Sequence, residues 1–537
     1  MRLRLALTAT ATLALIAPAV PSLAAAPAGA PVVAPVVAES KHPRALVFGA
    51  CPEDVAGRFP ALTCATLTVP LDYSRPHGAT LSVLVTKHAA NNPAKRLGAL
   101  LVNPGGPGGG GAVLAGTLST PDGTGFTRLE AGVLDAYDVI GFDPRGVWHS
   151  SPISCAAPDH FAPPQPDPDV KANRSELWGL WSSYAQGCNA KNKAVLPHLG
   201  TVNVARDMDA IRAGLGEQKL NYLGYSYGTY LGAVYGQMFP QRVGRMIIDG
   251  NVDPTPKDLW YQAGLTQSAG LQKRFDGDYL PWVAKYDSVF HLGKDVATVR
   301  AAWNKTLTEF RTTPHGVVGG SELLGTAYGV MFSESGWIPF TQALSAYAVG
   351  GDDADLVDFA TPSTSADSEE DNAIFNAVIC ADSKWSRSRA TYEHDAAKLA
   401  RTSQFAWYNI WTSGSACQSW AFDSPGRVRI TGKNLPGVLM FNTIGDPATP
   451  YAGALKMHKS LPTSVLVTEK DSGKHCVFAN GRAAVNPAAN AIGTKYLLTG
   501  ELPTSDTTVA GHPLPIPTPA AAARTKSFEL NRSTPFE

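Results

Sequence analysis

The sequence predicts an α/β fold: a mostly parallel sheet flanked by helices and interrupted by an inserted, mainly helical cap. Three observations predict it. Short apolar runs alternate with helix-patterned segments between Leu97 and Asp249. That rhythm stops from about Pro254 to Asn434. It resumes with apolar runs at Gly437–Phe441 and Ser464–Thr468. Strands that alternate with helices pair in parallel, because each parallel neighbour is reached by a long crossover.

The elements follow in chain order. Arg2 and Arg4 precede an apolar run from Leu5 to Val20, and Pro21-Ser22-Leu23-Ala24-Ala25 offers a small-x-small cleavage pattern. The run is shorter than the ~20 residues of a spanning helix, so residues 1–24 read as a secretory signal peptide. Residues 25–44, rich in Ala, Pro and Val, read as a leader or pro-segment. The first part of the α/β core is expected over 45–253. There Leu97–Val102 is a buried strand that runs into the glycine-rich turn Asn103–Gly111, and Tyr137–Phe142 is a strand that runs into Asp143-Pro144-Arg145-Gly146. Asn203–Leu215 has helical apolar spacing, Leu220–Leu223 is a strand, Thr229–Phe239 is a helix closed by Pro240, and Arg245–Asp249 is a strand. The helical cap is expected over 254–434, with Trp and Tyr throughout and an acidic stretch at Asp367–Asn372. The second part of the core is expected over 435–510, with a helix at Tyr451–Leu461 between its two strands. From Gly511 to the end the chain is Pro/Ala-rich and is expected to be an extended surface tail, 511–537.

Composition narrows the function. Lys+Arg 45 balances Asp+Glu 45, which speaks against a nucleic-acid binder or a protein held on anionic membranes. After residue 24 no segment has 18 uncharged apolar residues, so a secreted, extracellular chain without stable membrane association is expected, as a monomer. Cys51, Cys64, Cys155, Cys188, Cys380, Cys417 and Cys476 form no C-x-x-C pair, so neither zinc nor thioredoxin chemistry is suggested. Export permits disulfides. Neighbours pair most simply as Cys51–Cys64, Cys155–Cys188 and Cys380–Cys417, leaving Cys476 free, although other connectivities fit the sequence equally well. No metal or cofactor is expected.

Gly224-Tyr225-Ser226-Tyr227-Gly228 matches G-x-S-x-G. Chance alone gives roughly 0.3 such matches in a chain of this length and composition, so the context decides. The strand before it and the helix after it are the context of a nucleophile elbow, which lifts the serine hydroxyl above the sheet. A serine needs a general base, and the base needs an orienting carboxylate. In elbow hydrolases these follow in the order Ser, acid, His. His475 stands in the loop after Ser464–Thr468, whereas His458 lies in a helix and His512 in the tail. Asp446 follows Gly437–Phe441 in a loop stiffened by Pro447 and Pro450. Its rival Asp471 is too close to His475 on the same loop to approach the ring from behind. The oxyanion donors are expected to be the N–H groups of Tyr227 and, from the glycine-rich turn, Gly105.

The turn Asn103-Pro104-Gly105-Gly106-Pro107-Gly108, the segment Asp143–Gly146, the elbow around Ser226 and Gly445-Asp446-Pro447-Ala448-Thr449-Pro450 before a C-terminal His together resemble a known family. It is that of the secreted tripeptidyl aminopeptidases of the α/β-hydrolase superfamily, related to the prolyl aminopeptidases. The resemblance covers about residues 45–500 and implies the same triad and donors. It also implies peptide or protein N-termini as substrates. One departure stands out: the family often continues Asp143–Gly146 with a second Gly and an Arg-Ser, where this chain has Val147-Trp148-His149-Ser150. An aminopeptidase must hold a free α-ammonium, and the cap carboxylates Glu369, Glu370, Asp371 and Asp382 are the candidates. Rival readings are a prolyl aminopeptidase, a secreted carboxylesterase or lipase with the same triad, and a hydrolase-like binding protein without activity.

Overall fold

The computed structural model describes residues 45–412, 414–481 and 486–518. The expected signal peptide and leader, and the tail beyond residue 518, lie outside the described residues.

Nine strands form one sheet in the order β1-β2-β4-β3-β5-β6-β7-β8-β9 among the described residues. They are β1 (Thr63–Pro70), β2 (Thr80–His88), β3 (Gly98–Asn103), β4 (Tyr137–Phe142), β5 (Leu220–Tyr225), β6 (Val243–Asp249), β7 (Val438–Thr443), β8 (Ser464–Glu469) and β9 (Thr507–Val509). From β4 across to β9 every pairing is parallel, while β1 pairs β2 and β2 pairs β4 in antiparallel fashion. The central strands β3, β5 and β7 are buried along their whole length. That is why they read as unbroken apolar runs: a parallel strand is covered on both faces. In β3, Ala99 and Leu101 feed one core and Leu100 and Val102 the other, the two-residue period of a strand.

Strands β3 to β8 and the helices Thr201–Gly214, Tyr227–Met238 and Tyr451–Ser460 lie close to their expected ranges. The hairpin β1–β2 and the short β9 were not foreseen. Between β6 and β7 the chain is helical, as expected of the cap. Leu271, Phe275, Trp303, Trp337, Phe340 and Tyr408 belong to a core of the cap's own. A second set, including Ile374, Ala377, Trp407 and Trp411, continues the core of one sheet face. The acidic stretch is part of a helix, Ala366–Asp382, whose first turn is capped by the Ser365 hydroxyl.

Three disulfides join Cys51–Cys64, Cys155–Cys188 and Cys380–Cys417, and Cys476 is a buried free thiol. No helix among the described residues is long and apolar enough to cross a membrane. The expectation of a surface tail needs correcting at its start. His512 is buried, because Glu469 at the end of β8 and Glu334 from the cap draw its imidazole inward.

Candidate active site

The order β4-β3-β5 reverses the chain's sequence order, and parallel sheets gather ligands at the carboxyl ends of strands near such a reversal. The chemistry-bearing loops all leave from that edge. β5 ends at Tyr225, and Ser226 follows with φ 55° and ψ −121° before the helix Tyr227–Met238. Positive φ is costly for a non-glycine residue, and strain of this kind concentrates at functional sites. The flanking glycines are needed for space. A Cβ on Gly224 would collide with the Tyr222 ring, and one on Gly228 would stand 2.8 Å from Asn103 Oδ1. The Ser226 N–H donates to Asp249 O (2.9 Å), which ties the elbow to the end of β6.

Asp446 follows β7. Its Oδ1 accepts the N–H groups of Ala448 (2.9 Å) and Thr449 (2.8 Å), and its Oδ2 accepts the Thr449 hydroxyl (2.9 Å). The Pro-Ala-Thr-Pro turn thus fixes the carboxylate's direction. His475 follows β8, and its Nδ1 lies 2.9 Å from Asp446 Oδ2 and 3.1 Å from Oδ1. A carboxylate only accepts, so Nδ1 carries the proton and Nε2 is left as the basic nitrogen. Nε2 is buried and makes no hydrogen bond to a protein group among the described residues. A base–nucleophile bond is often loose before substrate binds. The His475 N–H donates to the cap carbonyl of Phe332 (3.0 Å), and Asn480 Nδ2 donates to His475 O (2.9 Å). No contact of the rival Asp471 with His475 is seen.

A second carboxylate, missed in the sequence, holds the segment that follows His475. Asp249 closes β6, is fully buried, and its Oδ2 accepts the N–H groups of Val477 and Phe478, each at 2.7 Å. Burial pushes its pKa up to about 7 against those two donors. Its position at the carboxyl edge of the sheet was the only available signal.

Of the two expected oxyanion donors, Tyr227 opens its helix, and first-turn N–H groups have no intrahelical partner. Gly105 lies where expected: a Cβ there would stand 3.2 Å from Tyr227 N. Its own N–H, however, donates to Asn103 Oδ1 (3.1 Å). The Gly106 N–H, one residue on, has no such partner among the described residues.

The four cap carboxylates part ways. Glu369 Oε1 accepts from Cys155 N (2.8 Å), Ala156 N (3.0 Å) and the Tyr184 hydroxyl (3.1 Å), so it pins the Cys155 loop to the cap. Asp382 caps the helix Thr201–Gly214 through Thr201 N (2.7 Å) and the Thr201 hydroxyl, and also accepts from Trp260 Nε1 (3.3 Å). Burial raises its pKa to about 6. Glu370 and Asp371 instead meet Trp148, the residue at the family departure: Trp148 N donates to Glu370 and its indole Nε1 to Asp371 (3.2 Å). Burial, and the like charges of Asp371, Asp367 and Asp143, push Glu370 up to about 7. Ile374, one turn further on, borders the glycine-rich turn, since a Cβ on Gly108 would stand 2.7 Å from its side chain.

A family model for the alpha/beta hydrolase fold matches residues 98–481, from β3 to the loop beyond His475. The chain belongs to that family. Over 468 residues it is 40% identical to the Tripeptidyl aminopeptidase of Streptomyces lividans, covering 85% of each chain. It is 30% identical over 471 residues to Serine protease Hip1 of Mycobacterium tuberculosis, covering 82% of this chain and 86% of that protein. At 30% over 462 residues it also matches Carboxylesterase B of the same organism, covering 82% of this chain and 85% of the relative.

Proposed function

We propose that this protein is an exported serine exopeptidase that releases short peptides, three residues at a time, from free N-termini. Ser226 attacks the scissile carbonyl while His475 Nε2 takes its proton, and Asp446 stabilises the imidazolium that forms. The N–H groups of Tyr227 and of the glycine-rich turn receive the oxyanion, each donor lowering the barrier by about 3 kcal/mol. With the Gly105 N–H donating to Asn103, we assign the second donor to Gly106. His475 then protonates the leaving amine, and water releases the acyl-enzyme. The observation that carries this reading is the His475–Asp446 pair, 2.9 Å apart, at the same sheet edge as a serine at positive φ.

Glu370 and Asp371 are the proposed anchor for the substrate's α-ammonium. They lie on the cap helix one turn, about 6 Å, before the residue that borders the oxyanion loop. An extended tripeptide spans roughly 10 Å. Negative charge crowded around Glu370 favours a cationic guest over a neutral one. Glu369 and Asp382, bound to protein donors, are left to structural roles. The tripeptidyl relatives support the count of three, and export accords with the three disulfides.

A second reading, an esterase, is favoured by the relative named Carboxylesterase B. One experiment separates the two. Ala-Ala-Pro-, Pro- and N-acetyl-Ala-Ala-Pro-amides of one chromophore are compared with a short acyl ester. Cleavage of the free tripeptide amide alone is expected. Equal cleavage of the acetylated amide would refute an N-terminal exopeptidase, and ester turnover without peptide turnover would favour the esterase.

A further inference from the structure

We propose that His512 is a positioning residue for His475, closing a buried ion chain that runs from the cap through the C-terminal segment to the end of β8. The proposal rests on the catalytic role assigned to His475 above.

The loop between β8 and His475 is held from several directions. Gly445, beside Asp446, donates its N–H to Ser472 O (2.9 Å), and the Thr443 hydroxyl donates to Lys474 O (2.8 Å). Phe332 O accepts the His475 N–H from the cap. Gly473 lies flat against the Arg274 guanidinium, where any Cβ would collide with Nη1. These contacts align the base only while the cap turn Phe332–Glu334 stays seated on the end of β8.

The ion chain holds that seat. Arg274 pairs with Glu334, Glu334 Oε2 lies 3.3 Å from His512 Nε2, and His512 Nδ1 lies 2.8 Å from Glu469 Oε1 and 3.4 Å from the Ser472 hydroxyl. All four charged side chains are almost fully buried. Lys474 from the base loop and Asp278, on the far side of Arg274, complete the charged surroundings. Burial disfavours a charged imidazole, but Glu334 and Glu469 prevail and hold His512 protonated up to about pH 9. Its cation therefore bridges two carboxylates, one on the cap and one on the strand that carries the base loop. Without it the two carboxylates repel across the joint, and the cap carbonyl that holds His475 moves with them.

The test compares His512→Ala, His512→Gln and His512→Ala combined with Glu469→Gln against His475→Ala in the full-length protein, on a free tripeptide amide, with melting temperatures alongside. Misplacement of a catalytic group by about 1 Å costs on the order of 100-fold. His512→Ala is expected to lower kcat by about 10- to 100-fold with KM within about twofold. The wild type should lose kcat as pH rises through about 9, and the His512 variants should lack that limb. Adding Glu469→Gln to His512→Ala should restore part of the lost kcat, because it removes the carboxylate that loses its cation, whereas Glu334 keeps Arg274. A folded His512→Ala with wild-type kcat and an unchanged alkaline limb would overturn the proposal. If His512→Ala does not fold, wild-type kcat in His512→Gln overturns it equally. Full turnover in His475→Ala would instead sink the reading of the site, whatever the His512 variants do.

Discussion

The carboxyl edge of the sheet and the cap helix Ala366–Asp382 both bring carboxylates to this site, on opposite terms. At the sheet edge Asp446 is aimed: two backbone N–H groups, one hydroxyl and the His475 ring receive its lone pairs. On the cap helix Glu370 is crowded by Asp371, Asp367 and Asp143 and matched by a single backbone donor, Trp148 N. The first arrangement orients a partner already in the protein. The second, on the proposed reading, awaits a positive charge brought from outside. The proposed function thus puts chemistry on rigid strand ends and substrate recognition on an inserted element that can vary without disturbing them.

The comparison breaks outright if the sheet edge is not the chemical half. Ser226→Ala is expected to lower kcat by at least ~10⁴-fold on any substrate, with the melting temperature unchanged. Retained turnover would point to another nucleophile. Asp446→Asn should cost on the order of 10³- to 10⁴-fold, because an amide favours the wrong imidazole tautomer. Asp249→Asn provides the contrast within the same edge. Its carboxylate accepts N–H groups that an amide oxygen can also accept, and burial already raises its pKa to about 7. A loss below ~10-fold is expected in kcat. Equal losses in the two variants would show that Asp446 is not the orienting acid.

How much of this was legible follows the same division. Ser226, Asp446 and His475 stood out as candidates because each stands just past an apolar strand run, in a loop whose glycines or prolines announce a turn. Local chemistry marks such positions. The roles of Glu369 and Asp382 were not readable, because what they cap, Cys155, Ala156 and Thr201, lies far away in the chain. Four carboxylates on one helix look alike until long-range packing sorts them. Nor was it readable that a neighbouring Asn103 side chain competes for the Gly105 N–H. His512 looked like surface tail because Pro and Ala predominate around it, and composition says nothing about one buried ion pair. Strands β1 and β2 escaped because Thr and Ser interrupt their apolar residues, unlike the unbroken runs of the parallel core.

The cap half is sharpened by Glu370→Gln. On a free tripeptide amide KM is expected to rise about 10- to 100-fold with kcat nearly kept, since a charge-assisted contact to the ammonium is lost in ground and transition state alike. A fall in kcat at constant KM would move Glu370 into the chemical half and erase the distinction.

The smallest effect is on stability, and its sign is the informative part. The folded-state pKa of Glu370 is raised to about 7, chiefly by burial, whereas an unfolded glutamate titrates near about 4.3. Between those values the folded chain binds the extra proton, so this residue's contribution to stability falls as pH rises through that window and is flat above it. Glu370→Gln removes the burden of the charge. The variant should therefore melt with the wild type at about pH 4 and above it at pH 8, as read by thermal denaturation at both pH values. A free peptide amide at saturating concentration should shrink that difference, because its ammonium restores to the wild type what the substitution supplies. If the variant is instead less stable at pH 8, the glutamate is matched by a cation of the protein itself. The cap would then hold its carboxylates on the same terms as the sheet edge.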